Sequence, residues 1–309
     1  MYLDKWLEVQ LFLETTERGS ISKAAEALGL STSAAGRHLA NLEQRLGTRL
    51  VERNTRRLFL TEVGDEFYRR CRNIASEMDE AEAWVGSALL SPVGTLRVTG
   101  SVSFCSRIIA PLLPEFTARY PKLDVAITAA NRYFDLIESG VDVAIRTREH
   151  ESDSALVVRR LAETRRILAA SPEYLARHGT PRSLDELAGH RFLIYTLANN
   201  PYELLFTKGA RKHLVKISGA LESNEGQVIC NAGLNGLGIV IQPSYIIHDD
   251  VVAGRLIPIV DDWDLPRLKI NIAWPNRKYV PSKVRAFVDF LVAHFDSMEY
   301  ERRWTERWP

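Results

Sequence analysis

"SISKAAEALGLSTSAAGRHLANLEQRLGTRLVERNTRRLFLT", Ser20–Thr61, is the stretch whose reading decides how this chain folds. Ser20 or Ser22 can cap a helix in which Ala24, Ala25 and Leu28 share one apolar face, and Gly29 stops it. After the turn "GLST", Ser31 or Thr32 caps the next helix, where Ala34, Ala35, Leu39, Leu42 and Leu46 recur every three or four residues until Gly47. Two helices joined at a glycine turn, with alanines where they cross, have the geometry of a helix-turn-helix. Its second helix fits a major groove about 12 Å wide.

The outward positions near the start of that second helix are Ser31, Thr32, Ser33, Gly36, Arg37 and His38, all small or able to hydrogen bond. Such a face suits base edges, and Ser20 and Lys23 on the preceding helix are counted with it. Beyond Gly47 the apolar pairs Leu50, Val51 and Leu58, Leu60 flank "RNTRR", a β-hairpin with a basic tip. Arg53, Arg56 and Arg57 on that hairpin suit the sugar-phosphate backbone, which gives affinity without sequence information. Between Ser31 and Leu60 six arginines stand against two acids, while the whole chain of 309 residues carries only +1. A single arginine on a helix is ordinary surface; the ensemble points to DNA.

The segment Lys23–Gly64, with its paired alanines, its "GRHLANLEQRLGTRLVER" run and its closing "LTEVG", resembles the DNA-binding domain of the LysR-type transcriptional regulators. The resemblance implies a winged helix-turn-helix over residues 1–61. This chain departs from the family pattern in having Thr32-Ser33 where Gln-Pro is usual and Gly36 where a serine is usual.

Upstream, Trp6, Leu7, Val9, Leu11, Phe12 and Leu13 form a broad helical stripe between Asp4 and Arg18. Acids interrupt that apolar stretch, no basic start or cleavage site accompanies it, and no run approaches the roughly 18 apolar residues of a membrane span. A cytoplasmic protein without membrane contact is expected. Downstream, Thr61 caps a long helix over residues 62–91 on which Phe67, Cys71, Ile74, Met78, Ala81 and Val85 make a seam with heptad spacing. The seam packs on its own protein or on a second copy. The resemblance implies the latter, through an antiparallel linker helix, giving a dimer or dimer of dimers on an interrupted palindrome in double-stranded DNA.

"SPVG" breaks that helix and opens the remaining two thirds. Strands such as "TLRVTG", "LDVAIT", "VDVAIRT", "RRILAA", "RFLIYT", "ALESN", "LGIVIQP" and "KINIAW" alternate with helical stretches, Arg107–Tyr120 and Phe134–Ser139 among them. That alternation argues α/β with parallel sheets and ligands at strand C-termini. Stretches such as "LLPEFTARYPKLDV" and "GLNGLGIVIQPSYI" resemble the effector-binding domain of the same regulators. This implies a two-lobed, periplasmic-binding-protein-like domain over residues 92–303. Lobe 1 takes about 95–163 and 267–300 and lobe 2 about 164–266, with 304–309 as a tail. The closing "SMEYERRWTERWP", Ser297–Pro309, carries three aromatics among charges and reads as a solvated or loosely packed extension.

A small polar or anionic effector is expected between the lobes. In "TGSVSFC", Ser101, Ser103 and the backbone N–H groups near Phe104 sit where a strand runs into a helix N-terminus, a natural anion site. Arg146, at the end of "VDVAIR", can hold a carboxylate, and Thr196 and Asn224 end strands of the second lobe. Each of these also fits a helix cap or a solvated surface residue.

Catalysis has no foothold, since no GxSxG elbow, HExxH, P-loop or clustered Cys and His ligands occur, and neither cofactor nor metal is expected. The glycines of "GLNGLG" have the wrong spacing for a nucleotide loop. Three distant cysteines, Cys71, Cys105 and Cys230, exclude a disulfide framework. Two other readings stay open: a redox-sensing regulator using Cys105 near a helix N-terminus, and a cytosolic solute-binding protein without gene control.

Overall fold

The computed structural model describes residues 2–54, 57–86, 92–131, 136, 139–148, 156–276 and 280–308. It forms two compact units, one of Met1–Leu90 with Asp135–Val141 and one of Ser91–Phe134 with Asp142–Pro309.

The first unit packs α1 (Tyr2–Arg18), α2 (Ile21–Ala27) and α3 (Thr32–Leu46) beside a hairpin of β1 (Val51–Asn54) and β2 (Arg57–Leu60), followed by α4 (Glu62–Gly86). Ser20 caps α2 by accepting from the Lys23 N–H at 3.5 Å, and Ser31 caps α3 by accepting from the Ala34 N–H at 3.2 Å. Leu11, Phe12, Ala24, Ala25, Ala35, Leu39, Leu42 and Leu50 are buried together, so the alanines do let the helices meet closely. Two members of the expected stripe on α3 differ. Ala34 is half-buried, and Leu46 is exposed because it stands in the last turn, where the chain leaves through Gly47 at φ 69°.

Glu43 and Thr61 hold the hairpin to the helices. Glu43 Oε1 accepts the Leu50 and Val51 N–H groups at 2.8 and 3.1 Å, tying the first strand to α3. Thr61 caps α4 by accepting from the Gly64 N–H at 2.9 Å and donates to the Arg49 carbonyl at 2.8 Å. Gly64 lies against the hairpin so closely that a Cβ there would stand 2.0 Å from the Leu50 carbonyl oxygen. The expected seam of α4 divides. Phe67 and Cys71 pack with Leu13, Trp6 and Val9 of α1, whereas Ile74 and Met78 are 54% and 48% exposed. The side chains of Ala81 and Val85 lie outside the described residues.

The second unit runs β3 (Gly94–Gly100), α5 (Val102–Phe104), a π-turn (Cys105–Ile109), α6 (Ala110–Arg119), β4 (Leu123–Ala129), β5 (Val143–Arg148) and β6 (Leu156–Thr164). It continues through β7 (Arg166–Ala170), α7 (Pro172–His178), β8 (Phe192–Tyr195), β9 (Glu203–Lys208), β10 (Arg211–Lys216), β11 (Gly219–Ser223) and α8 (Gly226–Leu234). It closes with β12 (Ile239–Pro243), α9 (Ser244–Val252), β13 (Ile257–Pro258), β14 (Leu268–Pro275), α10 (Ser282–Ser297) and α11 (Tyr300–Thr305). One lobe carries the sheet β4-β3-β5-β14-β6 and the other β11-β8-β12-β7-β13. Neither sheet is wholly parallel, contrary to expectation. β3, β4 and β5 run parallel, as do β8, β11 and β12, but β14 pairs antiparallel with β5, and β7 antiparallel with β12. The chain passes from the first sheet to the second between Thr164 and Arg166, so each sheet includes strands running against the βα repeats.

The helix expected over Phe134–Ser139 lies largely outside the described residues. The expected solvated tail is instead anchored. Trp304 is 3% exposed and packs on Tyr245 and Phe295, the Arg165 N–H donates to the Trp304 carbonyl at 3.0 Å, and Arg307 pairs with Asp264 at 2.9 Å. Its aromatics complete the apolar core instead of facing water.

Candidate DNA-binding surface and effector cleft

The polar face of α3 follows from its one-sided burial. With Ala35, Leu39 and Leu42 turned inward, Ser31, Thr32, Ser33 and Arg37 are exposed along the helix start. Arg37 donates to Ser33 Oγ at 3.3 Å, which orients the guanidinium along the helix N-terminus. Gly36 is bare, with nothing within 4 Å of a Cβ built there, so its surface is open to a close approach. Lys23 is exposed on α2 and Ser20 is half-buried as its cap. His38 is half-buried, its Nδ1 turned into the protein, which places that edge of the ring away from the polar face. Arg56 lies outside the described residues, as do the side chains of Arg53 and Arg57.

One arginine of the basic segment has another role. Arg45 is bonded to Glu8 at 2.8 Å, and the Glu8 side chain is nearly buried, so this pair joins α3 to α1. The local positive charge is correspondingly less available to a ligand.

In the second unit a cavity of about 570 Å³ opens between the lobes where the strand ends converge. Ser101, Ser103 and Arg146 line it, together with Asn131, Tyr195, Gln242 and Tyr245. The N-terminus of α5 is not an open anion site. Its Val102 N–H is taken by Asn131 Oδ1 at 3.1 Å and its Phe104 N–H by Ser101 Oγ at 3.2 Å, while the Phe104 side chain is fully buried in the core. Thr196 and Asn224 are exposed and do not line the cavity, although Tyr195 and Leu197 on either side of Thr196 do. Asn224 acts through its backbone: its carbonyl accepts from Asn131 Nδ2 at 2.7 Å.

A residue that the sequence pattern does not single out ties the lobes together beside the cavity. Glu225 caps α8 by accepting from the Gln227 N–H at 3.0 Å, and the same carboxylate accepts from Ser103 Oγ at 3.2 Å and from Asn131 Nδ2 at 2.5 Å. Donors from one lobe thus converge on an acid of the other. The spacing "SN-E-GQ" marks a helix start, but only the fold reveals which lobe-1 groups face it. Deeper in, burial pushes the Tyr195 phenol up to about 12 and raises Tyr245 as well, so both remain protonated hydrogen-bond donors at neutral pH.

The bacterial regulatory helix-turn-helix family of the lysR type matches residues 6–65, and the LysR substrate binding domain family matches residues 91–296. The chain belongs to the LysR family. The HTH-type transcriptional regulator CrgA of Neisseria meningitidis is 36% identical over 288 residues, which cover 92% of this chain and 95% of that protein. An HTH-type transcriptional repressor of Pseudomonas aeruginosa is 30% identical over 295 residues, 95% of this chain and 93% of the repressor. Among solved LysR-type structures, CrgA superposes with a TM-score of 0.62 at 35% identity, over 93% of this chain and 98% of that one. The Vibrio cholerae virulence activator AphB gives a TM-score of 0.61 at 26% identity, over 93% and 98% of the two chains.

Like its relatives, this LysR-type chain is a DNA-binding transcriptional regulator and not an enzyme. No helix among the described residues is long and apolar enough to cross a membrane. The thiol chemistry needed by the redox reading is reversed. Burial pushes Cys105 up to about 11, and Cys71 and Cys230 likewise, because a thiolate would lose its hydration inside the core. Cys105 stands in the π-turn, beyond the helix start that would have lowered its pKa.

Proposed function

We propose that this regulator binds an interrupted palindrome in double-stranded DNA as a dimer or dimer of dimers, and that a small polar or anionic molecule in the interlobe cleft changes the geometry of that assembly. Ser33 and Arg37 of α3 read bases, and Arg53, Arg56 and Arg57 hold phosphates. The exposed Ile74 and Met78 of α4 support a second copy, since a partner helix would cover them.

The observation that carries the effector reading is the clasp of Ser103 and Asn131 on Glu225, which joins the lobes beside a polar-lined cavity of about 570 Å³. Ligand cavities of proteins fall in the same range of roughly 300 to 1,000 Å³. A thermal-shift screen of small carboxylates, aromatic acids and amino acids tests it. A true effector raises the melting temperature with increasing concentration and alters DNA affinity or footprint, whereas stabilisation that leaves DNA binding unchanged removes the regulatory role.

A further inference from the structure

Gln242 stands near the end of β12, on the strand that opens into the cleft. It is only 2% exposed, and its Nε2 is buried without a hydrogen-bond partner among the described residues. A carboxamide nitrogen offers two donors and no acceptor, and burying it unmatched destabilises the fold. Native folds retain few such groups, and one that lines a cavity is placed to be completed by what enters it.

The neighbouring groups are already engaged. Ser101 Oγ accepts the Phe104 N–H, Ser103 Oγ donates to Glu225, and Asn131 is bonded through both its oxygen and its nitrogen. The amide of Gln242, like the Tyr195 phenol, is left as a donor for what fills the cavity. We infer that Gln242 is the donor by which the cleft recognises its effector, and that the effector places there an oxygen without a proton of its own: a carboxylate, or an amide or keto carbonyl. An ammonium at this point would face the Nε2 donor and find no acceptor in this orientation of the amide. Leu204, Ile241 and Leu268 also line the cavity and can accommodate an apolar body. This inference rests on the cleft reading of the preceding section and specifies one end of the ligand.

The test compares the full-length protein with Gln242→Leu and with Ala130→Trp, which fills the cleft from its half-exposed rim. Melting temperatures are measured alone and with benzoate, benzamide and benzylamine. Without a probe, Gln242→Leu is expected to melt at or above the wild-type temperature, since an unmatched buried donor has been replaced by an apolar group of similar size. Benzoate or benzamide is expected to stabilise the wild type in a dose-dependent way, benzylamine is not, and Gln242→Leu abolishes the response. A Gln242→Leu protein melting well below the wild type without a probe overturns the inference, because the amide then has a structural partner. So does a wild type that ignores both acyl probes, or answers benzylamine equally well. Loss of the acyl response in Ala130→Trp with its retention in Gln242→Leu overturns this inference alone. Retention in both variants overturns the cleft reading too.

Discussion

Ser103 Oγ donates to Glu225 Oε1 at 3.2 Å, linking the helix that follows β3 in one lobe to the start of α8 in the other. The carboxylate serves three groups at once, as helix cap, as partner of Ser103 and as partner of Asn131. Its loss therefore weakens the lobe-lobe contact and the helix start together. Glu225→Ala is expected to destabilise the second unit by about 1–3 kcal/mol, the ordinary cost of stranding hydrogen-bonding groups and losing a cap. Solution X-ray scattering should show a larger radius of gyration. An unchanged radius with lowered stability would reduce Glu225 to a cap.

Two glycines of the DNA-binding unit are expected to behave oppositely. Gly64→Ala drives a methyl into the Leu50 carbonyl, 2.0 Å away, and should cost about 1–3 kcal/mol or more, seen as early melting of the helical unit. Gly36→Ser meets open space and gains helix propensity, about 0.5 kcal/mol, while restoring the serine usual in the family. A change in DNA preference accompanied only by that small gain in stability would place Gly36 at the DNA.

Arg45 and the wing arginines separate in the same way. Arg45→Ala leaves Glu8 nearly buried without its partner, and with a partly exposed guanidinium the expected loss is about 1–2 kcal/mol of stability, with the salt dependence of DNA binding little changed. Arg53→Ala, Arg56→Ala or Arg57→Ala should flatten the slope of log affinity against log salt by about one unit each. Titrations by fluorescence anisotropy at several salt concentrations distinguish the two classes.

The thiols set a pH window. Cys71, Cys105 and Cys230 are raised from an ordinary 9.0 to about 11 by burial, so the folded state holds protons that the unfolded chain releases. Their contribution to stability is fully present below about pH 9 and is lost as the pH rises to about 11. Thermal melts should therefore fall across that interval, and a thiol reagent at neutral pH should modify the native protein slowly. Rapid modification of Cys105 in the folded protein would restore the redox reading.

Much of this was legible in the sequence because the determinants are local. Glycine-bounded helices, the alanine crossing and the serine caps at Ser20 and Ser31 each act within a few residues, and the helices stand close to where the periodicity places them. What could not be read depends on distant partners. Strand direction in the sheets depends on where the chain crosses between lobes. Trp304 is buried because Tyr245 and Phe295 meet it, and the donors expected at α5 are taken by Asn131 and Ser101. Thr196 and Asn224 directly follow β8 and β11, yet the lining takes Tyr195 and Gln242 instead, whose inward direction is fixed only by sheet register.

The most direct measurement selects binding sites from random duplex DNA with the full-length protein and with Arg37→Ala. The expected wild-type result is an interrupted palindrome with half-sites about one or more helical turns apart, near multiples of 34 Å, and the variant should lose preference at one or two positions per half-site. Sites without two-fold symmetry, or an identical motif bound uniformly more weakly by the variant, would contradict base reading by a dimer through α3.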